Sequence, residues 1–227
     1  MSIRPGLAPT PPQIVPCPRP RILLADDHIL FNQALTKILE PEFDVVGTAS
    51  NGRLLLQLAP KLCPDVILLD LSMPLMNGNE AGRRLNTILQ KAKIIVLTAS
   101  EDPLLASKVL RSWASGYLLK KAAAEELVQA IRQVLRGTKY LTPCLRCAVQ
   151  DERIRNDTRN SEKQLTPRQR EVLQLFAEGY SMKETADILD VATRTIAFHK
   201  YKIMEDLRLK TNADLLRLAI KEHLVRT

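Results

Sequence analysis

Residues Arg21 to Leu30 read "RILLADDHIL", a short apolar run that ends in two adjacent carboxylates, Asp26 and Asp27. A run of this kind suits a strand buried on both faces. A buried, unpaired carboxylate is costly, so a pair at a strand end calls for a cation, a hydrogen-bond network or a water-filled cleft. The apolar pattern repeats along the chain. "RILLA" at 21–25, "FDVVGT" at 43–48, "VILLD" at 66–70, "KIIVLT" at 93–98 and "YLL" at 117–119 predict five strands. Between and after them, apolar residues at helical spacing predict helices over 28–39, 52–61, 78–90, 103–114 and 123–136. Nearly all-apolar strands alternating with helices define a doubly wound α/β domain over 21–142, with a five-stranded parallel sheet covered on both faces.

The chain of 227 residues has room for a second modest domain. Its apolar content is ordinary for a soluble protein, and no apolar run approaches the roughly 18 residues of a membrane helix. Residues 1–20 are rich in proline, lack the apolar core of a signal peptide and read as a disordered leader. Four cysteines, Cys17, Cys63, Cys144 and Cys147, are too few and too scattered for a disulfide scaffold, which fits a reducing cytoplasm. Cys144 and Cys147 have CxxC spacing, but no second pair or nearby histidine completes a zinc site, so they read as incidental thiols. The formal charge of +8 suggests a polyanionic partner. Residues 21–142, however, hold 15 Lys/Arg against 12 Asp/Glu, and residues 164–227 hold 11 against 9, so net charge alone does not establish nucleic-acid binding.

In open parallel sheets, ligands sit at the carboxyl ends of the strands, where the topology switches. Asp26 and Asp27 follow the first predicted strand, Asp70 ends the third, Thr98 ends the fourth and Lys120 follows the fifth. Carboxylates gathered on that rim repel unless a hard cation neutralises them, and oxygen ligands suit Mg²⁺. In that setting Asp70 can act as a nucleophile toward phosphorus and form an acyl phosphate. Lys120 supplies a compact positive charge and Thr98 a hydroxyl donor for a phosphoryl oxygen. Taken singly, such residues are more often a helix cap, a packed side chain or a solvated lysine; their joint position at successive strand ends is what points to chemistry. The same set would serve an aspartyl-phosphate phosphohydrolase, although Ser72 stands where that enzyme needs a second acid. A domain that serves only to dimerise is a further alternative, against which the intact acidic residues, Thr98 and Lys120 argue.

"ILLADDH", "DVILLDLSMPLMNG", "VLTAS" and "GYLLKK" resemble the receiver domain of two-component response regulators. The resemblance implies that Asp70 is the phosphoacceptor and that Asp26, Asp27, Asp70 and the Ser72 carbonyl hold Mg²⁺. It also implies that Lys120 pairs with the phosphoryl group and that Thr98 and Tyr117 form the switch. Three positions depart from the family pattern: Leu75 where glycine is usual, Trp113 where a small residue is usual, and Lys121 where an acid is usual. Trp113 is expected to pack on the sheet edge. His28, beside the acidic pair, is expected to take no part in metal ligation.

Residues 143–163 read as a polar linker, and 164–227 as an all-helical domain. Thr166 with Pro167 and Gln169, "SMKE" at 181–184 and "TNAD" at 211–214 are helix starts of the capping-box type. Residues 181–207 have helix-turn-helix spacing, with a tight turn at Asp190 and Val191. On the second helix Ile196, Ile203 and Leu207 share one side, while Arg194, Phe198, Tyr201 and Glu205 fall opposite, flanked by Ala197 and Lys202. An aromatic and basic face suits the DNA major groove, and a partner-protein surface is the alternative.

The stretch Leu165 to Leu207 resembles the LuxR-type DNA-binding domain, and with the receiver it marks the NarL/FixJ class of response regulators. That resemblance implies base contacts from Ala197, Phe198 and Tyr201 and backbone contacts from Thr193, Arg194, Thr195, Lys200 and Lys202. The chain is thus expected to be a transcription regulator, with no enzymatic activity beyond its own phosphorylation and dephosphorylation. A sensor histidine kinase or small phosphodonor would modify Asp70. The unphosphorylated receiver would mask the recognition helix, and release would permit homodimeric DNA binding. Asp190 and Arg208 stand where glycine is usual. Ala192 replaces a helix-capping Ser or Thr, and Thr193 is expected to cap one residue later.

Overall fold

A computed structural model describes residues 19–150 and 165–225. The leader expected at 1–20 and the linker at 143–163 therefore lie largely outside the described residues. The first unit is a wholly parallel sheet in the order β2-β1-β3-β4-β5-β6. Its strands are β1 (Arg21–Ala25), β2 (Asp44–Ala49), β3 (Val66–Leu69), β4 (Lys93–Thr98), β5 (Gly116–Leu119) and β6 (Tyr140–Leu141). The helices between them are α1 (Ile29–Leu39), α2 (Gly52–Leu62), α3 (Gly78–Ile88), α4 (Pro103–Ser112) and α5 (Ala124–Leu135).

Strand alternation explains the two-sided core. Leu23 and Ala25 face one layer with Leu55, Leu85 and Val109, while Ile22 and Leu24 face the other with Leu39, Ile131 and Val134. Both sets are buried, which is why β1 is wholly apolar after the exposed Arg21 at its start. Asn51, Asn77 and Asp102 cap α2, α3 and α4 through their side chains.

Two features differ from the sequence reading. A sixth strand, β6, pairs with β5 after the chain turns back through Gly137, whose φ is 86°. Two residues carry too little periodicity to register as a strand. Residues 143–150 also do not behave as linker. Pro143–Leu145 forms a 3₁₀ turn leading into helical residues 146–150, and Leu145 and Val149 are buried in the receiver core. Trp113 is not on the sheet edge. It ends α4, packs on α3 so closely that a Cβ at Gly82 would lie 2.4 Å from the ring, and its indole N–H donates to Asn79 at 3.3 Å.

The second unit holds α6 (Pro167–Ala177), α7 (Met182–Leu189), α8 (Thr193–Asp206) and α9 (Asn212–Lys221). Thr166/Gln169, Ser181/Glu184 and Thr211/Asp214 form three reciprocal capping boxes at the starts of α6, α7 and α9. The start of α8 has none. Ala192 is its N-cap, and Thr193 is already the first helical residue, so it does not take over the capping role. Leu75, Asp190 and Arg208, the three residues at positions where glycine is usual, all have left-handed backbones with φ of 63°, 52° and 55°.

Candidate functional site

The carboxyl ends of β1 and β3 lie side by side at the point where strand order reverses, which brings Asp26, Asp27 and Asp70 together. Ligand atoms from Asp26, Asp27, His28 and Asp70 all lie within 4.8 Å of one another. Asp26 and Asp70 are buried and Asp27 is partly exposed. The question of how adjacent carboxylates tolerate this position has a direct structural answer. The Lys120 ammonium reaches across from the end of β5, 2.5 Å from Asp26 Oδ2 and 2.9 Å from Asp70 Oδ2. The Phe31 ring lies 5.0 Å from the same ammonium and lines its position.

Asp26 is held further by His28, whose backbone N–H donates to Oδ1 at 2.9 Å, and by Asn32, whose amide donates to the Asp26 carbonyl at 2.8 Å. Burial pushes the Asp26 carboxyl up, but the Lys120 and His28 hydrogen bonds and the lysine charge outweigh it and hold the group below its usual value. His28 is closer to the site than the sequence reading allowed: Nδ1 lies 2.8 Å from Asp26 and 3.1 Å from Asp27. Three carboxylates converging on one point form a hard-oxygen donor set that fits a divalent cation such as Mg²⁺.

Thr98 ends β4 and is buried; its hydroxyl oxygen accepts from the Ser100 backbone N–H at 3.1 Å. Tyr117 is fully buried in β5, its hydroxyl donates to the Ser100 carbonyl at 2.9 Å, and burial raises the phenol pKa. Thr98 and Tyr117 thus meet at one residue, Ser100, in the loop leading to α4.

The loop Leu71–Asn77, which begins directly after Asp70 and contains Ser72, contacts the second unit. The Gln174 carbonyl of α6 accepts from the backbone N–H and side-chain amide of Asn77, both at 2.9 Å, and its amide donates to the Met73 carbonyl at 3.0 Å. Both Glu178 oxygens accept from the Leu75 N–H at 3.2 Å. Burial raises the Glu178 carboxyl, partly countered by Gln174 and that N–H. The Leu75 side chain packs on the helix-turn-helix core of Val172, Leu175 and Ile196. Alongside, Arg84 of α3 bonds to Glu171 of α6 and, at 2.9 Å, to Glu80. Sequence reasoning missed these residues. The departure at Leu75 was the one available signal, because a left-handed leucine needs outside support.

On α8, Ile196 and Ile203 are buried, while Phe198 and Tyr201 are 64% and 61% exposed. Thr193 and Arg194 are exposed, and Thr195, Ala197, Lys200 and Lys202 half-buried. Lys202 pairs with Glu205 at 3.2 Å and Asp206 at 3.3 Å, and Lys200 lies 5.4 Å from the Phe176 ring, so both cations are engaged within their own unit. The polar contacts between the units run through α6 and through His223, which lies 3.1 Å from Asp102, and leave Phe198 and Tyr201 exposed, so these two side chains are not masked as expected.

Residues 22–132 match the response regulator receiver domain family, and residues 163–219 match the luxR family of bacterial regulatory proteins. The oxygen regulatory protein NreC of Staphylococcus carnosus is 35% identical, over 90% of this chain and 99% of that protein. NreC of Staphylococcus aureus strain MRSA252 is 36% identical over the same shares. Among solved structures, the Salmonella typhimurium response regulator RcsB aligns at 28% identity with a TM-score of 0.61, covering 89% of this chain and 97% of that one. An RcsB–DNA complex aligns at 29% identity with a TM-score of 0.55, covering 88% and 96%. The chain belongs to the two-component response regulators, with a receiver domain followed by a LuxR-type DNA-binding domain. It is a member of a family of DNA-binding regulators rather than of conventional enzymes.

Proposed function

We propose that this protein is a transcription regulator switched by phosphorylation of Asp70. The observation that carries the reading is the Lys120 ammonium lying between two buried carboxylates, 2.9 Å from Asp70 and 2.5 Å from Asp26, at the topological switch point. An Asp70 carboxylate oxygen attacks the phosphorus of a sensor-kinase phosphohistidine or of a small phosphodonor. The acyl P–O bond forms as the bond to the donor breaks, and the leaving group keeps the electron pair. Lys120 offsets charge on the incoming phosphoryl oxygens, and the Thr98 hydroxyl donates to one of them. Asp26, Asp27, Asp70 and the Ser72 carbonyl would hold Mg²⁺, which when bound supplies the further positive charge this transfer requires. Thr98 and Tyr117 then pass the change to the α4 loop through Ser100.

The output is DNA binding by α8 in a homodimer on two half-sites, with Ala197, Phe198 and Tyr201 facing bases and Thr193, Arg194, Thr195, Lys200 and Lys202 facing phosphates. The two exposed aromatics support this, since core packing does not account for them. A cytoplasmic setting is supported by the free thiols of Cys63, Cys144 and Cys147, and no helix among the described residues is long and apolar enough to cross a membrane. Incubation with acetyl phosphate and Mg²⁺ is expected to add one phosphoryl mass to the wild type and none to Asp70→Ala. No addition to the wild type, or one that persists in Asp70→Ala, refutes the proposal.

A further inference from the structure

We propose that Cys144 and Cys147 form a reversible redox site, a dithiol that exchanges with low-molecular-weight disulfides at the point where the chain leaves the receiver. Sequence alone leaves them as incidental thiols; their placement in the fold changes that reading. Cys144 lies in the 3₁₀ turn Pro143–Leu145 and Cys147 one turn on, in helical residues 146–150. Residues three apart have Cα atoms about 5 Å apart in α geometry and about 6 Å apart in 3₁₀ geometry, inside the roughly 4.4–6.8 Å that a disulfide spans. Both thiols are free and exposed. The other side of the turn is fixed, because Leu145 and Val149 are buried in the receiver core and the Arg146 N–H donates to the Pro143 carbonyl. The pair is therefore presented to solvent from an anchored turn.

Two observations set this pair apart from the other described cysteine. The Lys121 ammonium, bonded to Glu101 at 2.5 Å, lies in electrostatic reach of the Cys144 sulfur, so a cation attends the group that attacks as a thiolate. Cys63 instead stands alone in sequence and donates its thiol to the Pro60 carbonyl at 3.3 Å. Among the described residues no histidine or carboxylate joins the two sulfurs in a group that could hold a metal, which leaves exchange rather than ligation as their chemistry.

The exchange balances in two steps. The Cys144 thiolate attacks one sulfur of the external disulfide, forming a mixed disulfide and releasing one external thiolate. The Cys147 thiolate then attacks the Cys144 sulfur, closing the intramolecular bridge and releasing the second. Two electrons pass from the cysteine pair to the external disulfide, and the two thiol protons reach the released thiolates through solvent. The Cβ atoms of residues one helical turn apart sit somewhat wider than in a relaxed bridge, so closure draws in the turn. An exposed bridge under mild strain is the kind that is readily reduced again. It closes just beyond Thr142, which ties the chain to β5: its N–H donates to the Tyr117 carbonyl at 3.0 Å and its hydroxyl oxygen accepts from the Leu119 N–H at 3.2 Å.

The test uses the full chain, reduced and then held in oxidised glutathione at neutral pH without denaturant, with remaining thiols alkylated before mass measurement and peptide mapping. Wild type is expected to lose two hydrogens in a bridge mapped to Cys144 and Cys147, and an excess of reduced glutathione is expected to restore the dithiol. Cys147→Ser, which lacks the resolving thiol, is expected to hold one glutathione at Cys144. The proposal is overturned if Cys144 and Cys147 in the wild type each keep their own glutathione, if either bridges to Cys17, Cys63 or a second chain, or if both stay thiols. A bridge that reduced glutathione does not open also overturns it, as does the absence of an adduct at Cys144 in Cys147→Ser. The wild-type outcomes decide even where the variant fails to fold, and none of them bears on the reading of Asp70.

Discussion

Replacing Lys120 by methionine is expected to invert the pH dependence of receiver stability. The substitution keeps an unbranched apolar stem but removes the ammonium that lies 2.5 Å from Asp26 and 2.9 Å from Asp70. Removing one member of a buried charge cluster costs about 3–5 kcal/mol, because the remaining charges stay buried and uncompensated. Asp27 is partly exposed and water reaches that side, so the lower end applies, about 3 kcal/mol, or roughly 10 °C in melting temperature for a domain of this size. The sign with pH follows from Asp26. In the wild type its folded pKa lies below the unfolded value of 3.8. Its contribution is therefore present above that value and lost as the pH falls through the folded pKa. In the variant, burial, already the largest influence on this carboxyl, acts without its main opponent and lifts the folded pKa above 3.8. The contribution is then present below 3.8 and lost as the pH rises through the raised pKa. Lys120→Met should accordingly be more stable at about pH 5, where carboxyl protonation relieves the repulsion, than at pH 7. Urea unfolding of the receiver at both pH values measures this. Mg²⁺, which substitutes for the lost charge, should raise the melting temperature of the variant more than that of the wild type. A loss below about 1 kcal/mol at pH 7 with no reversal of the pH trend would refute the charge-compensation argument.

Three further outcomes are expected. Tyr201→Ala, at a side chain 61% exposed, should weaken operator DNA binding about tenfold in a mobility-shift titration and leave the melting curve within about 0.5 kcal/mol of wild type. Ala192→Ser supplies the cap that α8 lacks and should stabilise the C-terminal domain by about 1 kcal/mol in chemical denaturation. Gly82→Ala drives a methyl group to 2.4 Å from the Trp113 ring and should cost about 1–3 kcal/mol, read in the same way on the receiver.

The receiver was readable because each of its principal strands is a near-continuous apolar run and each helix an amphipathic interval, two periodicities that sequence displays directly. The rim residues were readable for a related reason. Topology alone sends the carboxyl ends of β1 and β3–β5 to one edge, so Asp26, Asp27, Asp70, Thr98 and Lys120 could be placed near one another before any side chain was positioned. What strand order cannot give is direction. It did not reveal that Lys120 bridges two carboxylates, that Phe31 lies beside it, or that the imidazole of His28 faces both Asp26 and Asp27. Residues 143–150 were misassigned for the opposite reason: Leu145 and Val149 complete a core already formed by others, and two apolar residues among polar ones have no period of their own.

Of the residues that argue most strongly against local expectation, one carries tertiary information. Leu75, Asp190 and Arg208 each stand where glycine would be easy, and each nevertheless takes a positive φ. For Asp190 the explanation stays local, since it ends α7, its N–H bonds back to that helix, and its short polar side chain tolerates the left-handed region better than most. Arg208 likewise follows α8, with its N–H bonded to Glu205. Leu75 has no such local support. Its N–H bonds to a residue 103 positions away, and its partly buried side chain packs against a different domain. A bulky residue kept left-handed by partners so distant in sequence ties the shape of the phosphoacceptor loop to whether the DNA-binding domain is in place. That dependence is invisible in either domain taken alone, because neither the loop sequence nor α6 contains a pattern that calls for the other.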